Sequence, residues 1–305
     1  MERELSDGVT TFHFDFHKNL VCPKLSCQEA YYASKLTTYA FGIHSSETGK
    51  GTTYIWPETV ASKNPDTLLS CLNFHLTEIE ETNRPWNIFW ADNTRSQNKN
   101  YTVAMYLENL VESGFRKRID FKFYISGHSF GPVDGMAGRT EGVIRSEQSI
   151  ETPADYVNLI NHQSALEGIT WIELRQHRFR CYSEWLREKY IEHRKDVNGG
   201  HFLFSEMVHF NFGIGERVDP VDGVLKTYSH SGVVWMRKTL DPKENPVELD
   251  LRRKRGQNDL EEIPLQALNN DIIELSNKKR NDLTTLCKYL TPIGKTYYRN
   301  IINQH

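Results

Sequence analysis

Long hydrophobic runs are missing from this chain. No stretch approaches the roughly 18 apolar residues that a membrane-spanning helix needs, so no membrane partner is expected. The opening Met1-Glu-Arg-Glu-Leu-Ser-Asp7 lacks the basic-then-apolar pattern of a secretory signal. Cysteine is scarce, with five in 305 residues. They are scattered, odd in number and form no CxxC pair, which reads as reduced thiols in an intracellular protein. Cys22 and Cys27 would make half a zinc site, but no second pair lies nearby. An excess of positive charge is also missing. Lys and Arg number 37 against 40 Asp and Glu, a net charge of −3, which argues against nucleic-acid binding by bulk charge. No Walker, dinucleotide-binding or G-x-S-x-G motif occurs. What is present is enough apolar material for a core: 38% hydrophobic and 11% aromatic residues. The length suits one large domain or two small ones.

Local patterns give an order of elements. Residues 10–16 read as a first strand, 31–44 as a second and 51–56 as a third, the last two forming a hairpin. Asn64-Pro65-Asp66 is a helix start, with a cap, proline in the first turn and an acid beside it. Leu68, Leu72, Leu76 and Ile79 then share one face. A fourth strand covers 87–91. A helix begins near Lys99 and stops at Gly114, a fifth strand covers 119–125, and a third helix spans 134–145. Helical crossovers make the fourth and fifth strands parallel to the first. The order β-β-β-α-β-α-β-α is that of the ribonuclease H-like fold. The fold class expected is α/β: a mixed five-stranded sheet flanked by helices over residues 8–150, with a C-terminal α+β accessory region, 151–305, packed on it. In that second part 152–155 opens a helix, 183–193 reads as another, 201–212 and 232–236 as strands, 240–265 as irregular and 282–290 as a short helix. Arg252-Arg-Lys-Arg255 is a solvated loop or a patch for phosphate or nuclear import.

Three acids stand out. Asp15 lies between Phe14 and Phe16 in an apolar strand, where an unpaired charge is costly. Asp92 ends the run Ile88-Phe-Trp-Ala91 and opens an amide-rich turn. Asp134 sits near the start of a helix, after a loop holding Gly127 and His128. Acids at strand ends line the crevice of an α/β sheet. Carboxylates converging there suit a pair of Mg²⁺ or Mn²⁺ ions, which favour oxygen ligands and stand about 3.5–4 Å apart in two-metal sites. Glu141, two turns beyond Asp134 on the same face, is the reserve ligand. His128 would ligate metal, contact phosphate or move a proton, and His13 and His17 share the sheet face of Asp15. Asn93, Gln97, Asn98 and Asn100 are candidate substrate contacts. Each has a plainer reading: Asp92 as a turn former, Asp15 as half of an ion pair, Asp134 and the amides as caps, His128 as a loop hydrogen-bond donor.

Asp92-Asn-Thr-Arg-Ser-Gln-Asn-Lys-Asn100, followed by Gly127-His-Ser129 and Asp134, resembles the signature of an uncharacterised transposon-derived domain family. Its members read Asp-Asn/Ser-Cys-Gly-Gly-Gln-Asn-Lys/Arg-Asn, then a strand, then Gly-His-Ser/Thr and a later Asp. Phe14-Asp15, Tyr31-Tyr32, Tyr54-Ile-Trp56-Pro-Glu58, Lys279-Arg-Asn-Asp282 and Tyr297-Tyr298 extend the likeness along most of the chain. The resemblance implies a ribonuclease H-like fold related to DDE/D transposases, a nuclear location, DNA as partner and a homo-oligomer as an open expectation. It implies Asp15, Asp92 and Asp134 as the metal triad, with Glu141 as rival to Asp134. If active, such a protein cuts DNA phosphodiesters; the alternative is a nucleic-acid or protein-binding module that keeps the fold alone. Two departures matter. Thr94-Arg-Ser96 replaces Cys-Gly-Gly, and the Cys-rich N-terminal part of such proteins is missing, as in a fragment, a truncated copy or a domesticated gene product.

Overall fold

The computed structural model describes residues 8–80, 83–94, 97–125, 130–230, 232–253 and 264–303. Its centre is a mixed sheet built from β1 (Val9–Phe16), β3 (Leu36–Ser45), β4 (Gly51–Pro57), β5 (Trp86–Ala91) and β6 (Arg118–Phe123), with the short β2 (Leu20–Cys22) paired to β3. β1 runs antiparallel to β3 and parallel to β5, and β5 runs parallel to β6. The parallel pairs follow from the helices between them. After β4 the chain returns through α2 (Pro65–Phe74) and a π-helical turn at His75–Ile79. After β5 it returns through α3 (Tyr101–Glu112).

The sheet has ten strands, not five. One extra strand is β2; the other four come from the chain beyond residue 150. β7 (Ile169–Glu173) adds to β4. On the other side β8 (His209–Phe212) pairs with β6, then β11 (Val233–Arg237), then β12 (Val247–Asp250). These strands are four or five residues long, too short for alternation to mark them. The sheet shields their open edges instead. A separate hairpin, β9 (Ile214–Val218) with β10 (Leu225–Ser229), stands beside this end. Of the expected strand at 201–212 only the last four residues form a strand of the sheet; His201 makes an isolated bridge to Lys195, and 204–206 form a 3₁₀ turn. The expected strand at 31–44 begins at Leu36. Its first residues belong to α1 (Gln28–Tyr32), which buries only Ala30. Residues 247–250 are a strand within a stretch expected to be irregular.

Strand alternation sorts side chains onto two faces. Phe12, Phe14, Phe41, Phe89 and Phe121 point one way, into a core closed by α2, α3 and α6 (Tyr182–Lys189). Ala40 and Ile55 point the other way, under α4 (Pro132–Ser146), α5 (Pro153–Asn161), α7 (Asn277–Leu286) and α8 (Pro292–Asn303). Each fully buried Phe contributes about 1.5–3 kcal/mol of transfer free energy. The helix signals act as their chemistry demands. Asn64 accepts from the Thr67 amide at 2.9 Å, a cap worth about 1 kcal/mol. Gly114, at φ +77°, takes the left-handed turn that ends α3. All five cysteines are free thiols. Among the described residues no helix is long and apolar enough to cross a membrane.

Candidate functional site

β1 lies between β3 and β5, and its last couple with β5 is Phe14 with Ala91. Phe14 and Ala91 face the α2–α3 core. Asp15 and Asp92, one residue on, therefore turn to the opposite face, side by side at the carboxyl ends of two parallel strands. Across from Asp15 on β3 stands Gly42. Its missing side chain makes room under α4: a Cβ there would lie 2.3 Å from His17 Nε2 and 2.9 Å from Met136. α4 thus settles close to the sheet on this side, and Asp134 in its first turn is carried over the same strand ends.

The electrostatics of Asp15 register all three acids. Its carboxyl is pushed up from 3.8 to about 6, mainly because burial withholds water from the charged form. Hydrogen bonds from the Phe16 amide, at 2.8 Å, and from Asn98 Nδ2, at 3.4 Å, pull the other way. The negative charges of Asp92 and Asp134 add smaller upward pushes. Burial, rather than repulsion among the acids, is the larger cause of the raised carboxyl.

Asn98 links the strand ends. It is fully buried and also donates to the Asp92 carbonyl at 3.2 Å, so one amide spans both strands. Its Oδ1 is a buried acceptor without a hydrogen-bond partner among the described residues. Asn93 accepts from Lys99 Nζ at 3.0 Å, and that ammonium also donates to the Ser205 carbonyl at 2.7 Å. Asn100 accepts from the Val103 amide and caps α3. Gln97 contributes its backbone to the turn, donating to the Thr94 carbonyl. Of the four expected substrate contacts, then, Asn98 reaches an acid, Asn93 engages Lys99, and Asn100 and Gln97 build the turn and cap.

The remaining acids are also engaged locally. Asp92 accepts from the Asn93 amide at 2.8 Å and from the Thr94 hydroxyl at 2.6 Å. Asp134 accepts from the Gly131 amide at 2.8 Å, within the capping turn of α4. Each keeps lone pairs free for a cation, and an all-carboxylate oxygen set fits Mg²⁺ or Mn²⁺ chemically. Glu141 is exposed and ion-paired to Arg145 at 3.0 Å on its own helix. Among the described residues, no three His, Cys, Asp or Glu side chains form a ready cluster for a metal ion. His128 and Gly127 lie outside the described residues, as do Arg95 and Ser96 of the Asp92 turn.

Three neighbours of the site were not legible as a group. His13 is buried and bonds Tyr124 Oη at 2.5 Å and Ser46 Oγ at 3.0 Å. His17 is pushed down to about 4 by burial and by the Lys63 charge, so its ring is neutral at pH 7. Lys63 comes from the loop before α2. It sits 4.3 Å over the Phe16 ring and within electrostatic reach of Asp15. The i±2 spacing of His13 and His17 about Asp15 was their signal in sequence; Lys63 had none.

A second carboxylate, Asp120 on β6, is buried differently. It accepts from His209 Nε2 at 2.7 Å, Asn211 Nδ2 at 2.8 Å, Trp86 Nε1 at 2.7 Å and Arg118 Nε at 2.8 Å. Burial pushes its carboxyl up, but these partners together hold it well below the usual carboxylate range. Burial lowers His209, so this ring acts at neutral pH as a hydrogen-bond donor and Arg118 supplies the countercharge. Saturated with donors, Asp120 ties β5, β6 and β8 together.

Neither a curated protein nor a solved structure matches this sequence. A family profile does, over residues 28–212, a span that contains Asp92 and Asp134 and stops short of Asp15. That match covers more than half of the 305 residues, and the chain belongs to the family described as Domain of unknown function (DUF7869).

Proposed function

We propose that this chain is a transposase-derived, ribonuclease H-like protein that acts on DNA phosphodiesters in the nucleus. Asp15, Asp92 and Asp134 would hold two Mg²⁺ or Mn²⁺ ions. The observation that carries the reading is Asp15: a half-buried carboxyl at about 6, beside Asp92 at two parallel strand ends and within electrostatic reach of Asp134. The strand order β4-β3-β1-β5-β6, with β3 antiparallel to its neighbours, supports the ribonuclease H-like assignment. Bound ions would supply Lewis-acid activation of the phosphate and of the attacking water. The protein's own part is to place the ligands. Asn98 holds Asp15 and the Asp92 backbone in one register. Burial keeps the Asp15 carboxyl close to protonation at neutral pH, so a cation arriving there relieves a standing electrostatic cost.

One observation favours a second reading. Asp92 and Asp134 each satisfy hydrogen bonds of their own turns, as in a module that keeps the fold for binding alone. Cleavage separates the two. Supercoiled plasmid is incubated with Mg²⁺ or Mn²⁺ and either the wild type or Asp15→Asn. Nicking that disappears in the variant supports the nuclease. No nicking with any divalent ion refutes it and leaves the module.

A further inference from the structure

Beside the Asp92 turn runs an open groove of about 720 Å³. One wall is the start of α3, where Tyr101 stacks on Phe204 at 4.2 Å. The other is the segment Phe202–Phe204, with Arg194 and Lys238 at the rim. Lys99 joins this groove to the acids, since its ammonium bonds both Asn93 in the Asp92 turn and the Ser205 carbonyl in the groove. Whatever lies in the groove is therefore one short turn from Asp92.

The lining has two characters. The first is cationic. Arg194 is exposed and makes no ion pair among the described residues. Lys238 pairs with Glu206 at 2.6 Å, but both side chains are about half exposed, at 56% and 44%. Such a surface pair is worth less than about 1 kcal/mol and yields readily to a phosphate. The second is apolar. Leu203 is 60% exposed, and Phe202, Phe204 and Tyr101 are half-buried in the floor. A chain of net charge −3 has little bulk attraction for polyanions, so cations set among half-open aromatic faces are a local feature. Ring faces beside cations suit a backbone whose bases are unpaired. A duplex hides its base faces and would leave this floor against water.

We propose that this groove binds a single strand of nucleic acid and leads it toward the Asp15–Asp92 site. The proposal rests on the DNA reading above, and binding is measured apart from cleavage. Fluorescence anisotropy of labelled oligothymidylate and of a matched duplex is read in EDTA, so that no metal chemistry intervenes. Wild type, Arg194→Glu/Lys238→Glu and Leu203→Ala are compared, with melting curves to show that each is folded. The charge reversal is expected to weaken single-strand binding at least tenfold and to flatten its salt dependence by about the two contacts removed. Leu203→Ala should weaken it about threefold, less than the loss of an aromatic ring that stacks on a base. Equal affinity for duplex and single strand, no affinity for either, or wild-type affinity in the charge-reversed variant would overturn the groove. A protein that binds the oligomer and never nicks plasmid keeps the groove and loses the nuclease. Nicking with no single-strand binding does the reverse.

Discussion

Replacing Asp15 by Asn removes a charge that the fold holds at a cost, and the structure gives its size and its pH window. The carboxyl stands at about 6 in the folded chain against 3.8 ordinarily. Below pH 3.8 it is protonated whether the chain is folded or not, and costs nothing. As the pH rises toward 6 the unfolded chain ionises it freely while the folded chain resists, so stability falls. Above 6 the loss is complete, at about 3 kcal/mol. Asn is isosteric, and its Oδ1 can accept the same bonds from Phe16 and Asn98. Asp15→Asn should therefore be more stable than wild type by about 2–3 kcal/mol at pH 8, a rise of several degrees in Tm for a chain of this size. The gain should shrink to a few tenths of a kcal/mol near pH 4. Divalent cations should close most of this gap. Wild type should gain about 2.7 kcal/mol at a hundredfold excess of Mn²⁺ over its Kd, more at pH 8 than at pH 5 because the ion displaces the proton, and the variant should gain little. Calorimetric melts at pH 4, 6 and 8, with and without Mn²⁺, read all of this. A variant less stable than wild type at pH 8, or a gain that does not change with pH, would refute the burial argument. A Mn²⁺ shift equal in the two proteins would refute Asp15 as a ligand.

The remaining predictions concern the two polar clusters. Asp120→Asn should destabilise the protein by about 3 kcal/mol at pH 7, because it strips the countercharge from Arg118 in a buried network; the difference from wild type, read by urea unfolding, should narrow below pH 4, where the depressed wild-type carboxyl begins to lose its own contribution. Asn98→Ala removes a hydrogen bond that stabilises ionised Asp15, so the Asp15 carboxyl, followed by carbon-detected NMR titration, should move above its wild-type value, and an unchanged or lower value would exclude Asn98 as its partner.

The sequence by itself determined the elements whose signals are local. The Asn64 cap, Asn100 at the start of α3, the Gly114 stop and the Thr152–Asp155 capping pair act through atoms a few residues apart, and each bounds a helix where expected. The parallel direction of β5 and β6 followed too, because a helical crossover leaves the chain no other way back. Once β1 and β5 pair, alternation puts Asp15 and Asp92 on one face. Tertiary structure decided the rest. β7, β8, β11 and β12 are short, and what makes them strands is the hydrogen-bonding edge each one meets: β4 for β7, β6 for β8, β8 for β11 and β11 for β12. Lys63 reaches Asp15 only because the loop before α2 folds over the end of β1, its ammonium above the Phe16 ring, and Asp134 only because Gly42 lets α4 approach the sheet. The height of the Asp15 carboxyl was also out of reach of the sequence: repulsion among three acids can be counted from their positions, but the larger contribution is the withdrawal of water, and that exists only once the layers have closed.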